Sequence, residues 1–284
     1  MNIADRLTGF ADEIANELEV QVASIKKLGM SHMEMRGVDG DNLIFHTYEK
    51  VKQIKEYLDA NGITLSALGS PLGKIGIEED FEPHFEAFKR AVEISHMMET
   101  PFIRMFSFYI PENKKPCDYE TLVFDRIGRF VDYAVANDAI LLHENEKDIY
   151  GEKAKECKKL MDVFYGEHFR AIFDFANFVQ AKDDTLEGYR LLKPYIEYIH
   201  VKDALWETGE VVPAGMGDGN VKAILDDLFS SGYAGYLSLE PHLSDFIGFS
   251  SLEGTGKRTL LKEGKRLGGY EAFELSYKSL MTIV

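Results

Sequence analysis

The chain has 284 residues, 48 Asp+Glu against 32 Lys+Arg, and a formal net charge of -16. That balance opposes binding along a nucleic-acid backbone unless a basic patch is segregated, so a nuclease is disfavoured from the start. A hydrophobic content of 45% with 28% charged residues is ordinary for a folded domain and excludes a disordered chain.

Short apolar runs recur along the chain at 6–10, 32–36, 63–68, 102–108, 139–144, 170–175, 195–201 and 235–240. Segments with apolar residues at three- and four-residue spacing lie between them, at 14–29, 47–62, 84–98 and 122–137. These patterns predict strands alternating with amphipathic helices. Lys26 and Lys27 before Gly29, and Asn61 before Gly62, mark helix ends, since a residue able to adopt positive φ closes the last turn. Eight strand–helix units of about 30–40 residues each predict a closed (β/α)8 TIM barrel, whose usual size is about 250 residues. An open doubly wound sheet would carry a glycine-rich turn after its first strand, and TGFADE at 8–13 is not one. One domain over 1–284 is therefore expected, with an irregular insertion at about 243–269 between the last strand and the last helix. That insertion carries Lys257, Arg258, Lys262, Lys265 and Arg266. It reads either as a solvated insertion or subunit contact, or as a cover whose cations meet an anionic substrate.

Cys117 and Cys157 are the two cysteines and form no CxxC pair, which argues against a disulfide scaffold and a thiolate zinc site. The first twenty residues lack a basic segment followed by an apolar core, and no window approaches a membrane span. A cytoplasmic location without membrane contact is expected.

In a TIM barrel, reacting groups come from the C-terminal strand ends. Here the fifth strand runs into His143-Glu144-Asn145-Glu146 and the sixth into Asp174-Phe175-Ala176-Asn177. The seventh runs into His200-Val201-Lys202-Asp203 and the eighth into Glu240-Pro241-His242. Period-two alternation places Glu34, Arg36, Arg104, Glu144, Asp174, His200, Lys202, Glu240 and His242 on the inner rim, with Glu146 on the face of Glu144. Converging carboxylates repel one another unless a cation lies among them. Glu144, Asp174, His200 and Glu240 supply three oxygen donors and one nitrogen, a set suited to Mn²⁺ or Mg²⁺, and less selectively to Co²⁺ or Zn²⁺. The glycine-rich turn Gly215–Asn220 before a predicted helix can expose amides to an anion, or serve as a purely structural turn. His32, His46, His84, His96 and His168 fall away from the cluster and read as packing or surface residues.

HENE at 143–146, FDFANF at 173–178, IHVKDA at 199–204 and LSLEPH at 237–242 resemble the strand-end motifs of the sugar phosphate isomerase/epimerase family. These are xylose isomerase-like barrels, which include ketose 3-epimerases, inosose dehydratase and endonuclease IV relatives. The resemblance covers essentially the whole chain. It implies one divalent metal, commonly Mn²⁺, on Glu144, Asp174, His200 and Glu240. It also implies Glu144 and Glu240 as the acid and base of a metal-stabilised enediolate reaction on a small ketose. Glu34, Arg36, Arg104, Glu146, Asn177, Lys202 and His242 are the expected substrate contacts, while Arg36 and Arg104 paired with Glu34 read equally as a structural rim network. The chain departs from the epimerases in carrying Asn177 where they commonly have His, and Lys202 and Asp203 near where they tend to have Arg.

A lyase or dehydratase on a keto-sugar or keto-inositol shares the same metal and enediolate. An endonuclease IV-type nuclease needs more His ligands and a basic face, and a non-catalytic sugar-binding barrel has no need of two flanking glutamates. The acidic balance favours a neutral sugar over a phosphorylated one. The resemblance also implies a homo-oligomer, dimer or tetramer.

Overall fold

The computed structural model describes residues 3–244 and 267–284. All eight predicted runs form strands: β1 Leu7–Gly9, β2 His32–Met35, β3 Thr64–Leu68, β4 Phe102–Met105, β5 Ile140–Glu144, β6 Phe169–Asp174, β7 Ile196–Val201 and β8 Leu237–Leu239. The helices are α1 Leu18–Lys27, α2 Tyr48–Ala60, α3 Phe81–Met97, α4 Pro116–Ala136, α5 Ala154–Phe164, α6 Phe175–Gln180, α7 Thr185–Leu192, α8 Val221–Ser230 and α9 Gly269–Ile283. The strands pair in parallel in the order β1-β8-β7-β6-β5-β4-β3-β2. A parallel bridge between Phe10 and Glu34 joins β1 to β2 and closes the ring. This is the expected (β/α)8 barrel.

Boundaries differ from the sequence pattern where side chains or loops compete for the backbone. The run at 102–108 leaves the sheet after Met105. Phe106 N–H instead donates to the Leu72 carbonyl and Phe108 N–H to that of Gly73. Gly73 permits this crossing: its φ is +86, and a Cβ there would lie 2.0 Å from the Phe106 carbonyl oxygen. The helix expected at 14–29 begins only at Leu18, as α1, and a separate 3₁₀ turn, Ala11–Glu13, precedes the segment. The helix expected at 122–137 begins earlier, at Pro116, whose missing N–H costs nothing in a first turn. Gly29 and Gly62 take positive φ as their positions require. The insertion cations at 257–266 lie outside the described residues. No helix among the described residues is long and apolar enough to cross a membrane.

The main apolar core lies between strands and helices, and a smaller one fills the barrel itself. Ala67, Leu142, Ile172 and Tyr198 pack together inside, with Phe102, Ile140 and Tyr236 against them. Alternation then sets the layer above. Two residues on from Leu142, Ile172, Tyr198 and Ser238 stand Glu144, Asp174, His200 and Glu240, all buried. The polar cluster thus sits one layer above this inner core, at the C-terminal end of the barrel.

Candidate metal centre and active site

One donor atom from each of Glu144, Asp174, His200 and Glu240 lies within 4.8 Å of the other three. His200 Nδ1 is 2.8 Å from Glu144 Oε1 and 3.7 Å from Glu240 Oε2. Asp174 ends β6 and caps α6 at once. Its Oδ1 accepts the Asn177 N–H at 2.7 Å, while its buried Oδ2 accepts no hydrogen bond from the described residues. The abrupt strand-to-helix change at Asp174 is what turns the second oxygen toward the cluster.

Glu34 lies below the cluster rather than on its rim. Its oxygens are 3.1 and 3.3 Å from His200 Nε2, and Ser238 Oγ donates to Oε2 at 2.6 Å. A carboxylate on one ring nitrogen fixes the imidazole so that the other nitrogen faces a ligand position. Phe10 meets the His200 ring edge-on and lies under the guanidinium groups of both Arg36 and Arg104. Arg36 is fastened by Asp12, through Nε at 2.8 Å and Nη2 at 3.1 Å, so that Nη1 reaches Glu240 Oε1 at 3.1 Å. Arg104 Nη1 lies 3.3 Å from Glu144 Oε2 and 4.0 Å from Glu240 Oε1. Lys202 Nζ is 2.9 Å from Glu240 Oε2 and 3.1 Å from Asp174 Oδ2. His242 Nε2 lies 3.3 Å from Glu240 Oε1 and 3.5 Å from Glu13 Oε1.

Among the described residues, the charges around the quartet do not balance. Asp12, Glu13, Glu34, Glu144, Asp174 and Glu240 are buried with Arg36, Arg104 and Lys202 as the permanent cations among them. Protons take up part of the excess. Burial alone would lower the His200 pKa, but Glu144 and Glu34 outweigh it and hold the imidazole well above its ordinary value. Burial pushes Asp174 up to about 7, with Glu240 and Glu144 adding to it against the pull of Lys202. Burial likewise raises Glu13 to about 8 despite Arg36. Glu240 goes the other way: burial opposes its charge, yet Lys202 holds it well below the carboxylate range. Burial and the nearby Lys202 push His242 down to about 3. Excess buried carboxylate, an Asp174 oxygen without a hydrogen bond from the described residues and a convergent O₃N donor set all fit a divalent cation.

The structure therefore brings together Glu34, Arg36, Arg104, Glu144, Asp174, Asn177, His200, Lys202, Glu240 and His242. Asn177 Nδ2 donates to the Asn145 carbonyl at 2.9 Å and lies 3.5 Å from Glu144 Oε1. Glu146 turns to a different partner, Lys74 Nζ at 2.9 Å. Burial would raise its carboxyl, but Lys74, then Lys147 and Lys202, pull it down to about 2. Asp12, Glu13 and Lys74 were not among the expected site residues. The first two stand three and four residues past the end of β1, where the strand-end reasoning applied to the later strands would have found them.

The glycine-rich turn carries an anion already, and it is internal. Asp203 accepts N–H donors from Ala204, Gly215, Gly217 and Gly219 at 2.9–3.0 Å. A Cβ on Gly217 would come within 2.4 Å of Asp203 Oδ1, so glycine is required for that approach. His46, His84 and His168 make backbone hydrogen bonds away from the cluster, to Val38, Gly73 and Ala139.

Among solved structures, the zinc-bound IolI protein is similar over 98% of both chains at 15% identity, with a TM-score of 0.74. The probable 3-DHS dehydratase AsbF of Bacillus anthracis matches over 97% of this chain and 98% of its own, at 16% identity and a TM-score of 0.72. The 3-keto-D-glucoside 4-epimerase YcjR of E. coli matches over 98% of both chains at 13% identity, with a TM-score of 0.68. These likenesses establish the shared barrel. No curated protein sequence gives a significant match. The family model for the xylose isomerase-like TIM barrel matches residues 22–264. The chain belongs to the xylose isomerase-like TIM barrel family.

Proposed function

We propose that this chain is a divalent-metal-dependent isomerase or epimerase of a small carbohydrate, working by proton transfer at the carbon beside a carbonyl. The observation that carries this reading is the convergence of Glu144 and Glu240, from strands on either side of β6 and β7, with Asp174 and His200. Those four residues would hold the ion, Mn²⁺ by preference, with Mg²⁺, Co²⁺ or Zn²⁺ as alternatives. When bound, such an ion polarises a substrate carbonyl and eases loss of the neighbouring proton. Glu240, ionised beside Lys202, is placed to take that proton. Glu144 is placed to return one. Arg104, within 4.0 Å of both carboxylates, steadies whichever is charged. Arg36, anchored by Asp12, keeps Glu240 in one orientation. Arg36, Arg104 and Lys202 each already face a carboxylate, which favours a neutral sugar over a phosphorylated one.

A dehydratase is the second reading. It is favoured by one feature, the Lys202 ammonium 2.9 Å from Glu240, a positive charge that can hydrogen-bond a departing hydroxyl. Both readings are tested by NMR of candidate ketoses and keto-inositols in D₂O with Mn²⁺ and the protein. Exchange of the proton beside the carbonyl, abolished in Glu240→Gln, is the expected result. Loss of water from the same substrates would select the dehydratase. No exchange by the wild type on any of them, with Glu240→Gln indistinguishable, would overturn the proposal.

A further inference from the structure

We propose that Lys202 is a resident competitor for the metal centre: its ammonium holds two of the four ligand carboxylates and weakens binding of the divalent ion. This inference rests on the metal reading above. Lys202 stands two residues beyond His200, so alternation sends it to the same inner face, and it is 4% exposed. Its Nζ lies between Glu240 Oε2, at 2.9 Å, and Asp174 Oδ2, at 3.1 Å. Both of these ion pairs are to members of the quartet, and the Asp174 oxygen is the one that accepts no hydrogen bond from the described residues. An ammonium is a compact point charge, and between two carboxylates it occupies a position suited to a metal cation.

The two arginines are held differently. Arg36 is tied to Asp12 outside the quartet, and Arg104 Nε and Nη2 lie 3.4 Å from the Ser70 and Gly69 carbonyls. Arg104 also pairs with two quartet carboxylates, Glu144 at 3.3 Å and Glu240 at 4.0 Å, but Lys202 holds its two, Glu240 and Asp174, more closely, at 2.9 and 3.1 Å. An incoming divalent ion must share those oxygens with it or displace it, and repulsion between the two cations is weakly screened in a buried site. Without an ion, the same ammonium keeps Asp174 and Glu240 from repelling each other. Lys202 therefore preserves the geometry of the centre while lowering its affinity.

The test is calorimetric titration of MnCl₂ into metal-stripped wild type, Lys202→Met and Lys202→Arg, with thermal unfolding of each in the presence and absence of Mn²⁺. Lys202→Met should bind Mn²⁺ at least tenfold more tightly than the wild type. It should also gain more thermal stability from the ion, because binding to the native state alone raises its stability. Lys202→Arg, which keeps the charge, should not bind more tightly than the wild type. One Mn²⁺ bound by the wild type, with Lys202→Met tighter by less than tenfold, would overturn the role of Lys202 and leave the metal reading standing. No binding by either protein would overturn both. Binding by Lys202→Met alone would support the competition while removing the metal reading for the wild type. Should Lys202→Met fail to fold without metal, refolding on addition of Mn²⁺ supports the proposal, and failure to refold with it overturns the proposal.

Discussion

Replacing Glu34 by Gln removes the negative charge that faces His200 Nε2 while keeping the shape of the side chain. The amide oxygen can still accept from Nε2–H. Its NH₂ group then meets Ser238 Oγ, which at present donates to Glu34 Oε2 at 2.6 Å, and the serine must change from donor to acceptor. The hydrogen-bond count therefore survives, and what is lost is charge and orientation. Partners of this kind, removed from behind a ligating histidine, typically cost about 10–100-fold in metal affinity or activity. That corresponds to about 1.4–2.8 kcal/mol. The assay is an Mn²⁺ titration of Glu34→Gln beside steady-state kinetics at saturating metal. The expected result is a weaker ion with KM for the sugar little changed. A raised KM with unaltered metal affinity would refute the reasoning and make Glu34 a substrate contact, as its strand position in the sequence suggests.

Metal binding should release protons, because His200 is held well above its ordinary pKa by Glu144 and Glu34, and Asp174 is pushed up to about 7 mainly by burial. The sign is fixed: the ion needs both groups deprotonated, so Mn²⁺ affinity should rise with pH up to and through about 7, measured by titration in buffers of different ionisation enthalpy. Affinity flat between pH 6 and 8 would contradict it. Asp203→Asn should destabilise the protein by about 3 kcal/mol, read in urea unfolding, since an NH₂ group would then face backbone donors that a buried carboxylate now satisfies. Inorganic phosphate should leave the wild-type stability unchanged, because the glycine-turn amides are already occupied; clear stabilisation would show that they remain open to an external anion.

Much of the fold was legible because its two periodicities are strong. Alternation along 139–144 and 195–201 gave both the strands and the inner face. It thereby predicted that Glu144 and His200, which end those strands, would meet. What the sequence concealed depends on tertiary geometry. Asp12 and Glu13 were within reach of strand-end reasoning, but that the 3₁₀ turn after β1 brings them to Arg36 could not be read, because such a turn is too short to show a period. Glu34 and Arg36 alternate onto one face, but a strand pattern cannot say that one lies under His200 while the other reaches over Phe10. Glu146 shares a nominal face with Glu144, yet it lies beyond the end of β5, where the chain is free to turn toward Lys74. The turn at Gly215–Asn220 looks like an external anion site in sequence because its internal anion, Asp203, sits at least twelve residues earlier in the chain.

The central claim is that Glu144, Asp174, His200 and Glu240 together hold one divalent ion. Titration of metal-stripped protein with Mn²⁺, following loss of the free-ion electron paramagnetic resonance signal, tests it most directly. The account predicts one ion bound per chain for the wild type and none at the same concentrations for Asp174→Asn or His200→Ala, with both variants folded by circular dichroism. Undiminished free Mn²⁺ with the wild type, or equal binding by both variants, would contradict it.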